Sequence, residues 1–348
     1  MKKINASAVI PSHRSDTSTI RHLIATIDLF LQHGFEVVIA DNSGSAKKSQ
    51  QLRAEFANDL IFAKTEVDCD AFENFFAGFK AASCEYVLFV SDDDIFLPTG
   101  IQALADAIEH SVAYEGFCAP VVHHKPESTV VTTTPNLSSE NLTTRLIAWT
   151  NCDIAVCFYG CYSQKIWQHY FDFINRHPLK LAYFDQFLRF FVADAEKIAS
   201  LNSAWLAYDV SNWADGKSAY QSYQRFYIKA GADARMYYAE PLWEAIEGIL
   251  CQCKLDELAG REIQAAFIPH WWNWRVEAFK NLIAANEHAM PREVWQALTP
   301  LINYLNSNRM DAYQILQLLS QFMIDLYGHD AGWRHFWLYQ ATEILKRD

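Results

Sequence analysis

The chain has 348 residues, 51% of them apolar and 20% charged, and a formal net charge of −12. This composition supports a sizeable core in two domains, or in one large domain with an appendage, and excludes a disordered chain. No basic patch appears, which argues against a nucleic-acid partner. An acidic chain binds anionic phosphates only with local help from a metal ion, a helix N-terminus or a few cations.

In chain order, INASAVIPS reads as a strand ending near Pro11. TSTIRHLIATIDLFLQHG follows with Ile20, Leu23, Ile24, Ile27 and Leu31 at helical spacing and Gly34 as a stop. FEVVIAD is a short buried strand that runs into a polar loop, NSGSAKKSQ. A helix through QLRAEFA, the strand LIFAK and the helix AFENFFAGFKAAS come next, and EYVLFVS is again a strand. Strands alternating with helices predict a mostly parallel sheet with helices on both faces.

Between 115 and 215 the pattern is less regular. FCAPVVHHK and STVVTTT read as strands of a hairpin, and LSSENLTTRLIAW as a helix. CDIAVCFYGCYSQKIWQ reads as a strand, a turn at Gly160 and a helix. LAYFDQFLRFFVADA reads as a helix and SAWLAYDVSNW as a last strand. From 216 onward helical stretches take over, with Pro269, Pro291 and Gly328 between them. The predicted organisation is an α/β domain over 1–215 and an all-helical region over 216–348.

The eight cysteines read as reduced thiols: Cys251 and Cys253 are too close for a bridge, and Cys152, Cys157 and Cys161 fit no zinc spacing. His123 and His124 are adjacent on a predicted strand and face opposite sides, so one ion does not take both. Trp271, Trp274 and Arg275 at helical spacing read as core with a charged rim, with sugar stacking or a membrane surface as alternatives. The N-terminus lacks the apolar run of a signal peptide, and no segment reaches the roughly 20 apolar residues of a membrane span. The expected location is cytoplasmic, with peripheral attachment to the inner membrane face as an alternative.

In open parallel sheets, ligands bind beyond the carboxyl ends of the strands. Ser12-His13-Arg14, Asp41-Asn42-Ser43 and Asp92-Asp93-Asp94 fall at three such ends. Three adjacent carboxylates repel one another, and a bound cation offsets that cost. Capping of the following helix accounts for one Asp of the three. With side chains alternating along a strand, Asp92 and Asp94 would share a face.

SAVIPSHRSD, EVVIADNSGS and FENFFAGFKAASCEYVLFVSDDDIFLP together resemble the nucleotide-binding half of family 2 glycosyltransferases of the GT-A fold. The resemblance covers about residues 5–105 well and 150–215 loosely. It implies a metal-dependent, inverting transfer from a nucleotide-sugar donor, with UDP the usual carrier, to a hydroxyl of a glycan or lipid-linked glycan. It makes Pro11, Ser12 and Arg14 the first nucleotide-contacting loop. Asp41 is implied as the reader of the base and Asn74 as the Asn of the helix motif. The register from Pro98 makes Asp93 the main ligand of Mn²⁺ or Mg²⁺, with Ser91 and Asp92 at the ribose and Asp92 or Asp94 as further metal candidates. Asp185 takes the position of the general base, with Asp153, Asp172 and Asp209 as other candidates, and Gly160 resembles the turn lining the acceptor site. The chain departs from the family at Asn42, Glu73, Ser91 and Phe184. A related nucleotidyltransferase and a non-catalytic nucleotide-binding module are the alternative functions. The helical region is expected to pack on the catalytic domain, shape its acceptor site or form a homo-oligomer interface.

Overall fold

A computed structural model describes residues 3–110, 113–125, 128–137, 139, 141–176, 184–195, 197–210, 221, 227–229, 233–252, 266–286, 288, 290–307 and 312–327. The chain divides into two compact units. Met1–Lys180 and Phe184–Ala214 form one, and Leu181–Tyr183 with Asp215–Asp348 the other.

In the first unit the strands are β1 (Ala6–Ser12), β2 (Glu36–Asp41), β3 (Leu60–Phe62), β4 (Tyr86–Phe89), β5 (Ile95–Phe96), β6 (Gly116–Cys118), β7 (Val121–Lys125), β8 (Ser128–Val131), β9 (Cys161–Ser163), β10 (Ile198–Ser200) and β11 (Leu206–Asp209). The helices are α1 (Thr17–Gln32), α2 (Ala46–Phe56), α3 (Ala71–Ala81), α4 (Pro98–His110), α5 (Leu142–Thr150), α6 (Ile154–Phe158), α7 (Gln164–Arg176) and α8 (Phe184–Asp194). The main sheet has seven strands in the order β10-β6-β9-β4-β1-β2-β3, and a second sheet has four, β5-β11-β7-β8. In the main sheet only β9 runs against its neighbours, β4 and β6. The expected mostly parallel α/β sheet is therefore what forms.

β1, β2 and β4 are buried almost throughout, as strands covered on both faces must be, and this is why they read as unbroken apolar runs. Pro11 is tolerated because β4 pairs with β1 only as far as Val9, so its missing N–H interrupts no bond to that neighbour. α3 lies close over β1 and β2: a Cβ on Gly78 would stand 2.5 Å from Val9 Cγ1.

Three local readings are corrected. The polar segment after Asp41 is not loop throughout, because Ser45 caps α2 by accepting from the backbone N–H of Lys48 at 3.3 Å. The strand expected at 152–159 is the short helix α6, opened by Asp153, which accepts from the N–H of Ala155 at 2.8 Å. Of the expected hairpin, β7 and β8 do pair antiparallel, but β6 belongs to the main sheet. The expected helix over 181–195 is described from Phe184, and the expected last strand only to residue 210; the rest of both lies outside the described residues.

The second unit contains α9 (Glu240–Gln252), α10 (Ile268–Asn286), α11 (Arg292–Asn306) and α12 (Ala312–Tyr327), with a 3₁₀ turn at Ala234–Ala239. Trp271 is fully buried and donates its indole N–H to the Ala245 carbonyl at 3.1 Å. Gly248 leaves the space for that ring. Trp271 is core as expected, but Arg275, expected on a charged rim, is also buried and paired with Glu244, while Trp274 is half-buried. The ends of two predicted helices, 253–260 and Gly328, lie outside the described residues, as does Cys253. Cys69, Cys84, Cys118, Cys152, Cys157 and Cys161 form no disulfide. No described helix is long and apolar enough to cross a membrane.

Candidate active site

Pairing in the main sheet sets Ser12 of β1 directly beside Asp41 of β2. β4 ends next to them, its register carried one step further by a bond from Val90 N–H to the Val9 carbonyl at 2.8 Å. The chain then turns through Ser91 and the three aspartates. All three polar clusters thus meet on one rim, at the carboxyl ends of parallel strands.

The side chains form one connected network. Lys48, fully buried on the first turn of α2, donates to Ser12 Oγ at 2.6 Å, to the Arg14 carbonyl at 2.8 Å and to Asp41 Oδ1 at 2.9 Å. Three acceptors match the three N–H bonds of an ammonium. Ser12 in turn donates its hydroxyl hydrogen bond to Asp92 Oδ2 at 2.5 Å. Arg14 completes the chain, reaching Asp92 Oδ1 at 2.5 Å and Asp93 Oδ2 at 2.7 Å. Burial pulls the Arg14 guanidinium down, but the charges of Asp92 and Asp93 outweigh it and hold the group above its ordinary pKa.

The three aspartates occupy different surroundings. Asp92 is buried against Ser12 and Arg14. Asp93 faces solvent, its side chain 41% exposed, and accepts from Ser91 Oγ at 2.7 Å. Ser91 in turn accepts from the N–H groups of Asp93 and Asp94 and so shapes the turn. Asp94 points inward. Its carboxylate accepts from Asp209 N–H and from the Tyr159 hydroxyl, both at 3.2 Å, while its carbonyl meets His22 Nε2 at 2.7 Å. Burial, with the charge of Asp93 adding to it, pushes the Asp94 pKa up to about 6. Burial and the Asp94 charge likewise push Tyr159 well above its ordinary value.

Asn42 and Asn74 are both buried, and the amide oxygen of each has no hydrogen-bond partner among the described residues. The Asn42 amide N–H₂ is fixed on the Cys69 carbonyl at 2.8 Å.

The side chains of the remaining sequence candidates are not part of this network. Asp185 is half-buried on α8, and its charge helps raise Tyr170, after burial. Asp153 caps α6 and stands 3.4 Å from His123 Nε2. Asp172 accepts from Gln168 on the solvent side of α7. Asp209 is exposed and bound through its backbone to Asp94. Gly160 joins α6 to β9, where a Cβ would strike the Tyr162 ring at 2.2 Å. Tyr183 and the backbone of 177–183 lie outside the described residues.

Sequence reasoning missed Lys48, Tyr159 and His22. Lys48 follows Lys47 in a polar run, and only the phase of α2 distinguishes them: Lys47 is exposed and Lys48 fully buried.

Among the described residues no three His, Cys, Asp or Glu side chains converge to hold a cation unaided. The exposed Asp93 carboxylate beside Asp92 does suit a hard divalent ion whose remaining ligands are phosphate oxygens and water.

Residues 7–171 match the model of Glycosyl transferase family 2. The crystal structure of S. aureus TarS 1–349 is similar with a TM-score of 0.51 at 17% identity, covering 99% of this chain and 88% of that one. The complex of TarS 1–349 with UDP gives a TM-score of 0.50, also at 17% identity and with the same coverage. At these identities the likeness is one of fold, the GT-A fold. No curated protein matches the chain.

Proposed function

We propose that the chain, whose residues 7–171 match the model of Glycosyl transferase family 2, is a nucleotide-sugar glycosyltransferase that carries out a metal-dependent, inverting transfer from a UDP-linked sugar. The acceptor in this reading is a hydroxyl of a glycan or lipid-linked glycan. The observation that carries it is the single network joining Asp41, Lys48, Ser12, Asp92, Arg14 and Asp93 at the ends of β1, β2 and β4.

Each part of that network has a task. Asp41 accepts from the base. Pro11, Ser12, Ser91 and Asp92 hold the ribose side, with Asn74 on α3 supporting the loop. Asp93 faces the diphosphate, and together with Asp92 or Asp94 it would hold Mn²⁺ or Mg²⁺. When bound, that ion supplies positive charge against the charge that grows on the departing diphosphate. Arg14 holds the carboxylates of Asp92 and Asp93 at fixed positions. Asp185 takes the proton of the acceptor hydroxyl. The donor chemistry belongs to residues 1–215, and 216–348 is a separate helical domain. UDP is the ligand of a protein of the same fold, TarS, which supports the choice of carrier.

Calorimetry tests the donor and metal parts together. UDP should bind at least about tenfold more tightly with Mn²⁺ or Mg²⁺ than in chelator, since phosphate oxygens and carboxylates share the ion. Equal affinity in chelator would remove the metal from the reading.

A further inference from the structure

We propose that Lys48 is a positioning residue that sets base specificity, by leaving Asp41 one free carboxylate oxygen instead of two. The inference rests on the reading above that Asp41 meets the donor base.

Lys48 Nζ holds Asp41 Oδ1 at 2.9 Å, and the backbone N–H of Ser43 adds a second bond to the same oxygen at 3.1 Å. Oδ2 has no partner among the described residues. The Asp41 side chain is 14% exposed, so it is not sealed from the rim. Lys48 cannot swing away, because its other two N–H bonds end on Ser12 Oγ and the Arg14 carbonyl and its side chain has no exposed surface.

A carboxylate has two oxygens, and with both free it accepts two parallel N–H groups. Guanine offers such a pair, at N1 and N2. Uracil offers a single N–H, at N3, between two carbonyl oxygens. A carboxylate with one oxygen occupied satisfies uracil and leaves one guanine donor unpaired, and a desolvated unpaired donor weakens binding. Lys48 therefore favours the pyrimidine without touching it. The same ammonium also holds Ser12, which binds Asp92, so the base reader and the Asp-rich turn share one anchor.

The lock makes a second, sharper demand. In Asp41→Asn, Lys48 and Ser43 N–H are both donors and must face the amide oxygen. The amide N–H₂ then faces the base, where it opposes uracil N3–H but suits the bare N3 of cytosine. An unlocked Asn would turn over and keep uracil.

The experiment is calorimetric titration of the full chain, with Mg²⁺, by UDP, GDP and CDP. The wild-type chain should prefer UDP to GDP by about 10- to 100-fold, the value of one hydrogen bond to a charged group. Lys48→Met should narrow that ratio by about tenfold. Asp41→Asn should lose UDP by about 100-fold and bind CDP more tightly than UDP. Equal weakening of UDP and GDP in Lys48→Met would mark Lys48 as structural only and overturn the inference. Should Lys48→Met fail to fold, Asp41→Asn decides alone: UDP binding within about threefold of wild type would show that no lock exists. Failure of the wild-type chain to bind any of the three would overturn the donor reading as well, a result distinct from an unchanged UDP-to-GDP ratio.

Discussion

Arg14 lies across Asp92 and Asp93, with one guanidinium nitrogen 2.5 Å from the first and the other 2.7 Å from the second. The repulsion in the Asp-rich turn is thus partly offset by the protein itself. Arg14→Met should lower stability by about 1–2 kcal/mol, discounted for the 33% exposure of its side chain. The loss should grow at low salt, where the remaining carboxylates repel more strongly. Adding Asp92→Asn should recover part of it. Urea unfolding at two salt concentrations measures both effects, and an unchanged midpoint at low salt would show that the pair contributes nothing.

Asp94 makes stability depend on pH. Its folded pKa, about 6, is raised above the ordinary carboxylate value of 3.8. The folded state therefore holds its proton more tightly than the unfolded chain. This contribution is fully present below pH 4 and is lost as pH rises through 6. The difference between 3.8 and about 6 amounts to at most about 3 kcal/mol. Asp94→Asn mimics the protonated form, still accepting from Asp209 N–H, and should flatten the melting curve between pH 4 and 7 in ligand-free protein. A wild-type curve that rises over that range would show that Asp94 ionises freely in the fold.

Gly100 tests how the second sheet is held beside the turn. A Cβ there would lie 2.0 Å from the Ala204 carbonyl oxygen, which is backbone and cannot swing aside. The neighbouring Leu97 N–H bonds the Trp205 carbonyl at 2.9 Å, fixing the approach. Gly100→Ala should cost about 3 kcal/mol. Thermal unfolding reads this directly, and a loss below about 0.5 kcal/mol would mean that the helix start yields easily.

With Asp185 as the proposed base, its removal should affect chemistry and not donor binding. Asp185→Asn should lower kcat by about 100-fold or more while leaving the affinity for UDP unchanged. Parallel Asn variants of Asp153 and Asp209 identify the base if Asp185→Asn retains turnover.

Much of this was legible in the sequence, for physical reasons that differ by element. β1, β2 and β4 are covered on both faces, so SAVI, VVIA and YVLF are unbroken apolar runs that admit few other readings. The carboxylates at their ends stood out because charge after such a run needs a use. What could not be read depends on tertiary phase and on distant partners. Lys48 looked like its neighbour Lys47 until the Ser45 cap set which one α2 turns inward. Asp94 was unexplained because its acceptors' partners, Tyr159 and Asp209, lie 65 and 115 residues away. The segment IAVCF has the β-branched and aromatic content of a strand, yet the Asp153 cap opens it as a helix with Ala155, Val156, Cys157 and Phe158 buried. β5 is only two residues long and has no period to detect.

The turn at Asp92–Asp94 is proposed to serve transfer from a nucleotide sugar. Its most direct test is consumption of a panel of nucleotide sugars by the purified full chain with Mn²⁺ or Mg²⁺, run beside Asp93→Ala. The account predicts that at least one UDP-linked sugar is hydrolysed or transferred, and that Asp93→Ala lowers the rate by about 100-fold or more. Turnover of that sugar by Asp93→Ala at the wild-type rate, or consumption of none by the wild-type chain, would contradict it.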